Sequence, residues 1–66
     1  MGLTVEGYPK SCQKNMRTIL KEVVADPQTV YAMMLMTASL MDLDPADPEV
    51  AEMILEDCRS AGACKS

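Results

Sequence analysis

The pattern of hydrophobic and polar residues predicts three helices, and the middle one is the most apolar. Residues 28–41, QTVYAMMLMTASLM, contain no charged residue, no Gly and no Pro. At 100° per residue, the hydrophobic side chains of this segment cover nearly the whole circumference of a helix. Fourteen residues span about 21 Å, which is short of the ~30 Å hydrocarbon core of a bilayer. We therefore expect protein, and not membrane, to enclose this helix.

The segments on either side predict helices with one apolar stripe each. Pro9 suits the first turn of a helix, and apolar residues then recur at spacings of four, three and four. These residues of the first helix are Cys12, Met16, Ile19 and Val23. In the last helix, the residues that fall on one side are Val50, Ala51, Ile54, Leu55, Cys58 and Ala61.

Prolines and capping residues define the ends of the predicted helices. Pro27 and Pro48 each suit a first helical turn, and the Asp before each can accept hydrogen bonds from the free amides there. Gly62 is a typical residue just beyond a helix C-terminus. The predicted organisation is an N-terminal arm (1–8), a single three-helix domain (9–61, with helices at about 9–25, 27–41 and 48–61) and a flexible tail (62–66).

These elements predict an all-α fold, a small antiparallel three-helix bundle with the hydrophobic helix at its centre. Two flanking stripes are too narrow to wrap that helix completely, so part of it would face water. Homodimerisation through this helix is the simplest way to cover the remainder. The predicted dimer or partner interface consists of Val30, Tyr31, Met33, Met34, Leu35, Met36, Leu40 and Met41.

Length and composition predict a thin and adaptable core. A chain of 66 residues makes one domain and buries only about 60% of the surface of its unfolded state. The sequence has seven Met, no Trp and no Phe, so aliphatic side chains and flexible thioethers must fill the interior. This composition also favours a chain that is completed by association.

The charges are unevenly distributed along the chain, although the net charge is -4. Four cations lie on one line of the first helix, and residues 42–57 supply seven acids and no base. The cationic line could contact an acidic partner such as nucleic-acid phosphates. The competing interpretation, which we favour, is a solvated face that is neutralised by Glu52 and Glu56 of the third helix. The four residues of this basic stripe are Lys10, Lys14, Arg17 and Lys21.

Three cysteines and no histidine argue against a metal or catalytic centre. Zinc sites ordinarily use four Cys or His ligands, and a copper site would need methionines that lie together and not around one helix. We predict that Cys12 and Cys58 are buried thiols and that Cys64 is a loose tail thiol. The absence of CxxC spacing and of a signal peptide predicts a reducing, cytoplasmic location.

The sequence as a whole predicts a small cytosolic binding or regulatory protein that acts by protein–protein interaction through its Met-rich helix. Because the chain contains no phosphate-binding loop, nucleophile elbow or HExxH motif, we expect no catalytic residue, no metal and no cofactor. The predicted partners are a second copy and another protein, with no membrane contact. The alternatives are a dimeric nucleic-acid-binding protein that uses the basic stripe and, less favoured, a thiol or metal-binding protein.

Overall fold

Three α-helices dominate the computed structural model, which describes residues 4–65. Helix α1 spans Lys10–Glu22, α2 spans Pro27–Met41 and α3 spans Pro48–Ala61. Each helix packs against the other two. The predicted all-α three-helix bundle is therefore confirmed.

Helices α2 and α3 each begin with a proline that follows an N-capping aspartate. The carboxylate of Asp26 accepts a hydrogen bond from the amide of Thr29 at 2.9 Å, and Asp47 accepts from the amide of Glu49 at 2.9 Å. Hydrogen bonds from the side chain and then the backbone of Thr29 lower the pKa of Asp26 below its usual 3.8. Because the folded-state pKa is lowered, this cap stabilises the fold at neutral pH, and its contribution is lost as the pH falls through that lowered value.

Both of these helices end at a residue in the left-handed conformation. Gly62 follows α3 with φ of 74°, which glycine adopts without steric cost, whereas Asp42 follows α2 with φ of 57°. The reversal at Asp42 lets the amide of Leu43 donate to the carbonyl of Ala38 at 2.8 Å. Leu43 is thereby turned back onto the hydrophobic core.

Helix α1 begins one residue later and ends three residues earlier than the predicted 9–25, at Glu22. Val23 is extended and forms an isolated antiparallel bridge with Cys64. Its side chain is buried in the core. The helix stops because pairing with the C-terminal segment holds Val23 extended, which suits a β-branched residue.

The segment after α3 differs from the flexible tail predicted for residues 62–66. The amide of Val24 donates to the carbonyl of Ala63 at 3.3 Å, and the amide of Lys65 donates to the carbonyl of Glu22 at 2.6 Å. The ammonium of Lys65 also donates to the carbonyl of Leu20 at 2.9 Å. Residues 63–65 are thus attached to the C-terminal end of α1, and residue 66 lies outside the described residues.

The N-terminal segment also differs from a free arm in the part that the structure describes. Val5 is buried within the core, and the amide of Tyr8 donates to its carbonyl at 3.0 Å. The ring of Tyr8 lies against that of Tyr31 on α2, with centroids 5.0 Å apart and planes at 55°. This segment therefore covers one side of α2, while residues 1–3 of the predicted arm lie outside the described residues.

The core contains one polar side chain among the described residues, that of Asn15. Its amide nitrogen donates to the carbonyl of Pro45 at 3.0 Å and to that of Asp47 at 2.9 Å. These two carbonyls belong to the connection between α2 and α3. Asn15 therefore fixes that connection onto α1, a tie between segments about thirty residues apart in sequence.

Candidate functional site

The predicted interface on α2 divides between the interior and the surface. Val30 and Met34 are fully buried in the core of the protomer, so they cannot contact a partner. Tyr31 and Met33 are partly buried and pack against the same core. The interface residues that remain exposed are Leu35 (42% exposed), Met36 (64%), Leu40 (79%) and Met41 (50%).

Leu35, Met36 and Leu40 form part of a continuous uncharged surface along α2. Ala32 and Ser39, which sequence reasoning did not select, are also exposed. At 100° per residue, the two lie near the middle of the exposed arc, with Leu35 on one side and with Met36 and Leu40 on the other. We call this surface the α2 outer face, and it consists of Ala32, Leu35, Met36, Ser39 and Leu40.

Met41 is exposed but lies outside this arc. Its position on the helix is about 180° from Ala32, which is the side on which Val30 and Met34 enter the core. It remains half exposed because α2 ends there. The predicted site therefore contains residues from both sides of the helix, and only one side faces outward.

The basic stripe lies on the surface without the acidic partners that we expected. Lys10, Lys14, Arg17 and Lys21 are all exposed. Glu52 and Glu56, which were expected to neutralise them, line a separate depression of about 200 Å³ together with Met53 and Asp57. Within residues 4–65 the structure forms no ion pair between the stripe and α3. The expected neutralisation is thus not formed.

The ion pair that does join α1 to α3 uses different residues. Arg59 of α3 donates to the carboxylate of Glu22 at 2.8 Å. This hydrogen bond and the charge of Glu22 raise the pKa of Arg59 above its usual value. Helical spacing does not predict this pair, because its two residues are 37 positions apart and belong to different helices.

Lys65 adds a further cation beside the stripe. Together with Arg17 and Lys21 it lines an open groove of about 530 Å³, which also includes Thr4, Val5, Glu6 and Leu20. Lys65 was not among the predicted contact residues, because residues 62–66 were expected to form a flexible tail. The hydrogen bond from its ammonium to the end of α1 places it there.

The three cysteines lie in two different environments. Cys12 is buried, whereas Cys58 and Cys64 are half-buried. Burial raises the pKa of Cys58 above its usual value, and the nearby Cys64 and Asp57 raise it further. Among residues 4–65 no group of three or more potential ligands could hold a metal ion.

We predict that the cysteines differ in their reaction with a thiol reagent. Only thiolates react, so the raised pKa of Cys58 slows its alkylation at neutral pH, and Cys12 reacts only after unfolding. We expect Cys64 to react first, then Cys58, then Cys12, as measured by iodoacetamide labelling and peptide mass mapping over time. Denatured protein provides the control, in which all three rates converge. Native labelling of Cys12 as fast as that of Cys64 would contradict the burial of Cys12.

Comparisons with known protein families, with curated proteins and with solved structures gave no match. The helices within residues 4–65 are too short, or not apolar enough, to cross a membrane.

Proposed function

We propose that the protein is a small non-enzymatic binding protein that acts through the α2 outer face, and that this face first pairs with a second copy of the chain. The observation that carries the proposal is the exposure of Leu35, Met36 and Leu40 beside one another on a helix without charges. Burial of apolar surface contributes about 25 cal/mol per Å². Contiguous apolar surface of this kind is typical of interaction sites.

Self-association through the α2 outer face is favoured because this face carries no charge, whereas the chain as a whole has a net charge of -4. Two copies that each carry a net charge of -4 repel one another where their acidic segments meet. The α2 outer face is uncharged, so two copies can meet there without placing like charges in contact. A twofold axis through the middle of the face would make the two helices antiparallel. Asp42 of one copy would then lie near Gln28 of the other, away from its own counterpart.

The small side chains at the centre of the face also suit a helix pair. Ala32 and Ser39 are seven residues apart, and their size allows the backbones of two helices to approach closely. Leu35 and Met36 then pack on either side of this line of contact. Methionine adapts its shape to a neighbour, so the same face could also accept an apolar helix of another protein.

The test is the oligomeric state of the protein and of two matched variants. We expect the natural chain to form a dimer in sedimentation equilibrium over about 1–200 μM, a range that covers micromolar dissociation constants. Leu40→Glu places a charge on the face and should weaken the dimer at least about tenfold. Val24→Glu is the control, since Val24 is 71% exposed but lies outside α2. It should leave the dimer intact.

Two results would contradict this proposal. One is a monomer at every concentration in that range. The other is equal weakening by Leu40→Glu and Val24→Glu, which would assign the effect to net charge. Thermal unfolding of both variants in the monomeric range shows whether the protomer remains folded, because both side chains are exposed.

Nucleic-acid binding is the second candidate, and the exposed basic stripe is the observation that favours it. Four cations on one helix face could follow a phosphate backbone. The seven acids of residues 42–57 oppose this function, because they surround a small molecule with negative potential. We therefore rank nucleic-acid binding below protein binding.

A further inference from the structure

The two ends of the described chain meet at the C-terminal half of α1 and form a groove there. Its volume is about 530 Å³, within the range of about 300–1,000 Å³ that is usual for ligand sites. We call it the basic groove, and its lining residues are Thr4, Val5, Glu6, Arg17, Leu20, Lys21 and Lys65.

Secondary structure and the C-terminal segment together bring three cations to the basic groove. Arg17 and Lys21 are four residues apart on α1, so they are neighbours on one helix face. The bridge between Val23 and Cys64 places Lys65 beside them. The ammonium of Lys65 uses one donor on the carbonyl of Leu20 at 2.9 Å, and a Lys ammonium has three donors in all. It can therefore bind a second acceptor without leaving its position.

The groove combines these cations with an apolar base. Val5 and Leu20 are 4% and 8% exposed, and the small area of each that remains open lines the groove beside the charged side chains. Glu6 is the one acid among the lining residues, and its carboxylate reduces the positive potential. An occupant that suits this arrangement has several negative charges and some apolar surface.

We propose that the basic groove binds an acidic segment of a partner protein, with carboxylates on Arg17, Lys21 and Lys65 and an apolar side chain over Val5 and Leu20. A polypeptide is favoured over nucleic acid because a sugar–phosphate backbone has no hydrocarbon side chain that could cover Val5 and Leu20. A continuous phosphate backbone would instead follow the whole basic stripe to Lys10 and Lys14, and the net charge of -4 opposes such a long polyanion. The site lies on α1 and the terminal segments, so it does not depend on the α2 outer face.

The experiment uses the full chain and a dye-labelled peptide of about eight residues, in which pairs of Glu alternate with Leu. Fluorescence anisotropy measures binding at about 50 mM salt, where exposed ion pairs are only weakly screened. A peptide with Gln in place of Glu and a single-stranded DNA of about eight nucleotides are measured in parallel.

The variants separate the groove from the rest of the basic stripe. The double variant Arg17→Gln with Lys21→Gln removes two groove cations. Its matched control is Lys10→Gln with Lys14→Gln, which removes the same charge from the same helix outside the groove. Glu6→Gln removes the acid that opposes an anionic ligand. All five residues are exposed, and thermal unfolding verifies that each variant is folded.

We expect the Glu peptide to bind and the Gln peptide not to bind. The groove double variant should weaken binding at least about fivefold and the control double variant no more than about twofold. Glu6→Gln should tighten binding by about 1.5-fold or more, a gain that a damaged fold would not produce. Three results would overturn the proposal: no binding of the Glu peptide, equal losses in both double variants, or tighter binding of the DNA than of the peptide.

Discussion

Replacing Met34 by Glu is expected to unfold the protein. The side chain of Met34 on α2 is fully buried in the hydrophobic core, and the core residues include no cation that could pair with a carboxylate there. An unpaired buried charge costs about 3–5 kcal/mol. A core of this size rarely supplies more than about 3–5 kcal/mol in total. Circular dichroism of Met34→Glu should therefore show little helix at 25 °C.

Substitutions that do not bury a charge provide the controls for Met34. Met34→Leu keeps the volume nearly constant and should cost less than about 1.5 kcal/mol. Met36→Glu carries the same charge two residues away on the exposed side of α2, and its protomer should remain folded. A folded Met34→Glu with an unchanged melting temperature would show that Met34 does not lie in the core.

Replacing Asn15 by Ala is expected to give the second large loss of stability. The amide of Asn15 hydrogen-bonds the carbonyls of Pro45 and Asp47. Its removal leaves the carbonyl of Pro45 without this donor, whereas that of Asp47 still accepts from the amide of Val50. An unsatisfied buried polar group costs about 1–3 kcal/mol. We expect the free energy of unfolding, measured in urea, to fall by at least about 2 kcal/mol. Asn15→Asp should be worse, because its carboxylate would face two carbonyl oxygens.

The matched control for Asn15 is Gln13→Ala on the same helix. The amide of Gln13 also donates to a backbone carbonyl, that of Tyr8 at 2.9 Å, but its side chain is only half-buried. Water can replace this hydrogen bond, so the loss should stay below about 1 kcal/mol. Equal losses at Gln13 and Asn15 would mean that Asn15 does not anchor the connection between α2 and α3.

The sequence by itself determined the number of helices and where two of them begin and end. Asp26 with Pro27 and Asp47 with Pro48 begin α2 and α3, and Gly62 ends α3. These signals are local, because a cap, a fixed φ and a left-handed residue act within one turn. The exposed basic stripe was also predictable, since helical spacing alone aligns its four residues.

The sequence did not determine which side of α2 faces the core. Its hydrophobic residues surround the helix, so no period distinguishes Met34, which is buried, from Met36, which is exposed. Which side of α2 is buried depends on where α1 and α3 pack, and on the N-terminal segment that places Tyr8 against Tyr31. The predicted interface was for this reason a mixture of core and surface residues.

The roles of the chain ends and of Asn15 were decided only by tertiary structure. The C-terminal segment is composed like a free tail, and only its pairing with Val23 and Glu22 shows that it stops α1 and places Lys65 in the basic groove. The amide of Asn15 donates hydrogen bonds to carbonyls that are about thirty residues away in the sequence. Local patterns report helix phase and helix ends, whereas contacts between distant segments arise only when the helices pack and each buried polar group must find a partner.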